Sequence, residues 1–174
     1  MEPEHIYTKL EAAELREKII SCEILPRIKV AFDKYPQLLS AMILVAQYYN
    51  DDAGDAVHYK MIFSVLPTPV WGREFLDNDY DDNDRVNLPG LLGLYEITDY
   101  LWEYFDPLED GEYCWEEDRN AIPIFAAYCK EGCHQEMEYL DTYIPYAVFR
   151  RKDEEIEIEV VGNMLRPWLD GLRP

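Results

Sequence analysis

The acidic residues of this chain are concentrated in one segment, which limits where a hydrophobic core can form. Residues 77–120 hold fifteen Asp and Glu against only Arg85 and Arg119, and the whole chain has a net charge of −20. Charged side chains are almost never fully buried unless they are paired. We therefore expect the two flanks to form an ordinary scaffold, with an electrostatically specialised segment between them.

The length and composition predict one domain. The chain has 174 residues, of which 48% are hydrophobic and 14% aromatic, so it is not a disordered acidic tail. We expect a single domain over 1–174, divided into N-terminal helices (1–66), an acidic loop–helix–loop segment (67–119) and C-terminal helices (120–174). The sequence shows no targeting signal and no apolar run of membrane-spanning length, so we expect a cytoplasmic protein with reduced cysteines.

The spacing of apolar residues favours a mostly α-helical fold. From Ile6 onward they return at helical intervals, with Pro26 predicted to kink or split the first helix and Pro36 to end it. Further helices are predicted over residues 37–50, 55–66, 91–105, 120–129 and 134–148. Short turns between several of them predict a compact stack of antiparallel helical hairpins.

The C-terminal pattern at 155–161 is compatible with two structures. Ile156, Ile158 and Val160 alternate with glutamates, which is the pattern of a strand. The apolar residues from Ile156 to Trp168 also fit one face of a helix. We favour the helix because the rest of the chain is predicted to be helical, and keep a short β element as the alternative.

Two groups of residues resemble metal ligands without matching a metal motif. The acidic loop Asp77–Asp84 begins like a calcium-binding loop but has Asp82 where glycine is needed and Leu88 where glutamate is needed. The other group is Cys114, Cys129, Cys133 and His134, which could ligate zinc, although Cys129 is better explained as a core residue. We predict no metal, no cofactor and no catalytic residue.

The acidic segment also carries tyrosines and tryptophans, and this combination is typical of a binding surface. Aromatic side chains anchor interfaces, and a surface of one charge accelerates encounter with an oppositely charged partner. The predicted contact residues lie in the loop and on the exposed face of the predicted helix: Asp79, Tyr80, Asp81, Asp82, Asp84, Glu96, Asp99, Tyr100 and Glu103.

The sequence thus predicts a non-enzymatic, acidic protein-binding module with a basic protein as its partner. An inhibitor or immunity-type protein that occludes a nucleic-acid-binding surface fits this description. Direct binding to nucleic acid or to an anionic membrane is disfavoured because both would repel the chain. Two alternatives remain: a metal-binding or enzymatic domain that uses the acidic loop or the Cys/His group, and a plain helical scaffold.

Overall fold

The architecture is a helix packed on an antiparallel sheet. The computed structural model describes residues 8–50, 54–71, 122–130 and 142–170. These ranges contain one helix of 26 residues and a four-stranded antiparallel sheet, with about a third of the residues in strands. The predicted stack of helical hairpins, and with it the mostly α fold class, is therefore wrong.

The N-terminal helix consists of α1 (Lys9–Ile19), a π-helical turn (Ile20–Ile24) and α2 (Leu25–Lys34). Thr8 caps it: the Thr8 hydroxyl accepts the Glu11 N–H at 3.2 Å, and the Glu11 carboxylate accepts the Thr8 N–H at 2.7 Å. This reciprocal capping box satisfies two backbone donors that a helix start leaves open. The helix predicted from the apolar spacing is confirmed, with its start at Lys9.

Pro26 is accommodated by the π turn. Proline has no N–H to donate to the preceding turn of an α-helix. The N–H of Leu25 instead reaches back to the Ile20 carbonyl, so that the wide turn closes just before Pro26, which lies in the first turn of α2. The helix stops at Lys34, as the prediction from Pro36 required.

The sheet has the order β2-β1-β3-β4, with every neighbouring pair antiparallel. Its strands are β1 (Ser40–Asn50), β2 (Gly54–Ser64), β3 (Ile144–Lys152) and β4 (Glu155–Val160). The helices predicted over 37–50 and 55–66 are thus two strands of a β-hairpin. The helix predicted over 91–105 lies outside the described residues.

β1 is buried on both faces, which explains the error. Ala41, Ile43 and Val45 belong to the core between sheet and helix, whereas Met42 and Leu44 belong to a second buried cluster on the opposite face. A central strand covered on both faces has a continuous apolar run instead of an alternating one. Such a run cannot be distinguished from a buried helix by periodicity alone.

β3 contains a bulge that places two consecutive side chains in one core. Ile43 is paired with Ala147 and Leu44 with Pro145, so Tyr146 is an extra residue in β3. As a result Tyr146 and Ala147 both lie in the cluster on the helix side of the sheet. Proline within a sheet is tolerated at such bulges. The helix predicted over 134–148 is wrong over its described part.

A tight turn at Asp153 and Glu154 joins β3 to β4, with Lys152 opposite Glu155. Asp153 has a φ of 55°, in the left-handed region that aspartate tolerates better than most residues. The alternating residues at 155–160 therefore form a strand, and the favoured helical interpretation is wrong. A 3₁₀ turn, Pro167–Leu169, follows.

The main core lies between the helix and the sheet. Phe32 of α2 meets Phe63 of β2 edge to face at 6.3 Å between ring centroids. Arg151 lies over the Phe32 ring and donates to the carbonyls of Phe32 and Leu38, which satisfies an acceptor near the helix end. The segment Ile122–Tyr128, a 3₁₀ helix where an α-helix was predicted, supplies further core residues.

Candidate functional site

The predicted contact residues and most of the predicted metal ligands lie outside the described residues. This holds for all nine predicted contact residues, the first of which is Asp79 and the last Glu103. It also holds for the Asp77–Asp84 loop and for Cys114, Cys133 and His134. Cys129 is described, and it is fully buried in the main core, which confirms its assignment as a core residue. Among the described residues there is no group of three or more His, Cys, Asp or Glu arranged to hold a metal ion.

Two polar features stand out in the described part of the protein. One is a buried group that we call the arginine cluster: Arg16, Arg166, Asp170, Tyr128 and Tyr146. The other is the β4 edge, meaning the side of Glu155–Val160 that faces away from β3. The arginine cluster fixes the C-terminal segment that follows β4.

Arg16 forms a buried ion pair that joins the two ends of the described chain. Its guanidinium donates to the Asp170 carboxylate at 2.9 Å, and the two side chains are only 5% and 4% exposed. The same guanidinium lies over the Tyr128 ring, 5.0 Å from its centroid. Removing one partner of such a pair leaves an uncompensated buried charge, so the pair restrains the helix and residue 170 relative to each other.

Arg166 satisfies carbonyls at the end of the 122–128 segment. It donates to the carbonyls of Cys129 at 3.2 Å and Ala126 at 2.7 Å, and also to the side-chain oxygen of Gln47 in β1. The backbone N–H groups of Leu165 and Arg166 both bond to the Ala127 carbonyl. The last carbonyl groups of a helical segment have no hydrogen-bond donor within that segment. Here the Arg166 side chain and the backbone N–H groups of Leu165 and Arg166 are the donors.

Burial raises the pKa of three groups in this region, Tyr146, Cys129 and Tyr128. Desolvation raises the pKa of Tyr146 to about 12, with a smaller raising effect from Tyr128 and a partial offset by Arg16. Desolvation likewise raises the pKa of the Cys129 thiol to about 12, and Arg166 offsets part of that rise. The pKa of Tyr128 is also raised, mainly by desolvation. A nucleophilic cysteine needs the opposite shift, so Cys129 is suited to packing and unsuited to catalysis.

The arginine cluster is therefore best explained as a structural element. Its charged groups are directed at each other and at backbone carbonyls, so they are not presented to a ligand. The sequence carried one signal for it that we missed. Ala12, Arg16, Ile20 and Ile24 recur every four residues, which places Arg16 within the buried stripe of the helix. Nothing comparable marks Arg166 or Asp170.

The β4 edge combines an acidic row with an exposed apolar row. Glu155, Glu157 and Glu159 point to one face of the sheet, whereas Ile158 and Val160 point to the other and are 39% and 54% exposed. Ion pairs connect β4 to β3: Arg150 with Glu159 at 2.5 Å and Lys152 with Glu157 at 3.7 Å. Even so, the Glu157 and Glu159 side chains remain 53% and 55% exposed.

Comparison with known proteins adds no family and no relative. No protein-family model, curated protein or solved structure matches this chain. Within the described ranges, no helix has both the length and the apolar character needed to cross a membrane.

Proposed function

We propose that this protein is a non-enzymatic acidic module that binds a basic protein, in the manner of an inhibitor that covers a cationic surface. An immunity-type protein directed against a nuclease is the most specific form of this proposal. The mechanism is steric occlusion guided by charge, so the protein itself performs no chemistry. No membrane and no nucleic acid is expected as a direct partner.

The charge distribution of the chain carries the proposal. Fifteen acids and two bases fall within 77–120, interleaved with aromatic residues: Tyr80, Tyr95, Tyr100, Trp102, Tyr104, Tyr113 and Trp115. A surface that is merely made soluble by charge usually mixes both signs. A segment of one sign raises the association rate with a basic partner and rejects acidic ones.

The described residues are consistent with this proposal. Arg16, Arg151 and Arg166 direct their guanidinium groups at Asp170 or at backbone carbonyls within the protein. These three arginines are therefore engaged internally, whereas the Glu157 and Glu159 side chains stay about half exposed in their ion pairs with Lys152 and Arg150. The exposed charge of β4 thus has the same sign as that of residues 77–120.

The test is to capture a partner with the purified protein and then to measure their affinity at about 0.01 M and about 1 M salt. The Debye length falls from about 30 Å to about 3 Å over this range, so we expect affinity to fall steeply. A variant with Asp79, Asp81, Asp82 and Asp84 all changed to Asn should bind about tenfold more weakly or worse.

The matched control changes four exposed acids outside the acidic segment instead, with Glu14→Gln, Glu17→Gln, Asp33→Asn and Glu154→Gln. This variant should retain most of the affinity because it leaves the acidic segment intact. An affinity that is equal at both salt concentrations would contradict the proposal. Equal weakening by both variants would show that net charge alone matters, which would overturn the assignment of residues 77–84 as the contact.

A further inference from the structure

Among the described residues no strand pairs with the outer edge of β4, and the register shows which backbone groups this edge offers. The Val161 N–H donates to the Tyr146 carbonyl at 2.9 Å, and Lys152 is paired with Glu155 across the tight turn. In an antiparallel pair, hydrogen-bonded and non-hydrogen-bonded positions alternate. Glu155, Glu157 and Glu159 therefore bond to β3, whereas Ile156, Ile158 and Val160 direct their N–H and C=O groups away from it.

The outward positions are accessible. Ile158 and Val160 have substantially exposed side chains, and the apolar exposure continues along the chain at Met164 and Leu165, which are 40% and 43% exposed. Proteins usually protect an edge strand with a bulge, a proline, charged side chains or a covering loop or helix, because an open edge is a template for another strand. Between Ile156 and Val160 this edge has no bulge and no proline, and its only charges are the glutamates on one face.

The glutamates select the occupant. If a second copy of this chain were paired antiparallel at the β4 edge, glutamates of both copies would lie on the same face of the new sheet. Like charges directly opposite each other destabilise a strand pair. A segment with lysine or arginine at alternate positions would place these charges beside Glu157 and Glu159, with its apolar residues beside Ile158 and Val160.

We infer that the β4 edge receives an extended segment of the basic partner as a fifth strand, through alternating basic and apolar residues. Main-chain hydrogen bonds to Ile156, Ile158 and Val160 supply affinity, and the two rows of side chains supply selectivity. This inference rests on the proposed function, because it assigns a binding mode to the same basic partner.

The probe is a short synthetic peptide of alternating lysine and valine, compared with one of alternating glutamate and valine. Residue-resolved amide hydrogen exchange of the full chain is the measurement. The lysine peptide should slow exchange at Ile156, Ile158 and Val160, because strand addition would engage these amides. The glutamate peptide should leave them unchanged.

Ile158→Pro tests the mode of binding. It removes an outward N–H that β3 does not use, and proline is tolerated on the free side of an edge strand. Thermal unfolding of the variant should stay close to that of the unchanged protein, whereas peptide affinity should fall about tenfold or more. Glu157→Gln should weaken binding about two- to fivefold, in line with one cross-strand pair, and Glu154→Gln in the turn should not.

Four results would overturn the inference. Two are binding of the lysine peptide without slowed exchange at the β4 amides, and binding with full affinity in Ile158→Pro. Both leave the proposed function standing, because charge-guided binding would then occur elsewhere. The third is equal protection by the glutamate peptide. The fourth is concentration-dependent protection without peptide, which would identify a second copy as the occupant. The proposed function is tested separately: it fails if the affinity for the captured partner is the same at low and at high salt concentration.

Discussion

β1 and β4 belong to one sheet but differ in what surrounds them. Leu44 and Val45 of β1 are fully buried, on opposite faces, whereas Val160 of β4 is 54% exposed and no strand of the described ranges pairs with the outer side of β4. Both strands are rich in β-forming residues, so their difference in burial follows from their positions in the sheet. A central strand contributes to stability through packing, and an edge strand has backbone groups left over for binding.

The largest expected effect comes from the interior side of the sheet. Phe149 of β3 is fully buried, and its register partner Ile158 of β4 is 39% exposed on the same face. Phe149→Ala should lower the free energy of unfolding by about 3–5 kcal/mol, because the cavity it leaves cannot fully collapse. Ile158→Ala is the matched control and should cost less than about 1 kcal/mol. Urea unfolding measures both, and equal losses would remove the contrast between interior and edge.

The next effect compares a buried ion pair with an exposed one. Asp170→Ala leaves the Arg16 guanidinium buried without its carboxylate, so we expect a loss of about 3 kcal/mol. Glu157→Gln breaks an exposed pair with Lys152 and should change stability by about 0.5 kcal/mol or less. If Asp170→Ala unfolded at the same urea concentration as the unchanged protein, the structural role of the arginine cluster would be lost.

Alkaline pH should reduce the stability that two buried side chains, Cys129 and Tyr146, contribute to the folded protein. Burial raises the pKa of Cys129 from its ordinary value of 9.0, and that of Tyr146 from 10.0, to about 12 in the folded protein. Because the folded pKa values are the higher ones, their contribution to stability is complete below about pH 9 and is lost as pH rises towards about 12. Urea unfolding at about pH 8 and about pH 11 should show this decline.

Between about pH 8 and about pH 11, Tyr146→Phe should reduce that alkaline decline by about 1–2 kcal/mol, because the variant has no phenol to ionise at this position. The unchanged protein, measured at the same two pH values, is the control. An alkaline decline of the same size in Tyr146→Phe would refute the assignment to Tyr146.

The smallest effect is expected where β4 leaves the sheet. A Cβ at Gly162 would lie 3.1 Å from Cδ2 and 3.2 Å from Cα of Tyr146, so neighbouring atoms would have to shift. We expect Gly162→Ala to cost about 1–2 kcal/mol by overpacking. Asn163→Ala, one residue further in an exposed position, is the control. A melting temperature unchanged in Gly162→Ala would show that this contact is looser than described.

The N-terminal helix was predicted correctly from the sequence, whereas β1, β3 and β4 were predicted as helices, and each outcome has a physical reason. Helical spacing from Ile6 and the stop at Pro36 located the N-terminal helix, because its buried stripe faces one direction only. β1 was mistaken for a helix since both of its faces are buried, and β3 since a bulge places Tyr146 and Ala147 on the same side. At 155–160 the alternation was visible, but we gave more weight to the predicted helical surroundings.

The candidate binding residues depend on different information. Charge and aromatic content are properties of composition, so residues 77–120 could be singled out without a fold. The β4 edge could not, because an edge is defined by strand order, which depends on contacts between distant parts of the chain. The Arg16–Asp170 pair, separated by 154 residues, is inaccessible to sequence reasoning for the same reason.

Residue-resolved amide hydrogen exchange of the free protein is the decisive test of a sheet with a buried centre and an open β4 edge. We predict slow exchange along β1 from Ser40 to Val45, where it is paired with both β2 and β3, and alternation along β4, with Glu157 and Glu159 slow and Ile156, Ile158 and Val160 fast. A helix at these positions would protect consecutive amides. Uniform protection from residue 156 to residue 160 would contradict both the register and the open edge.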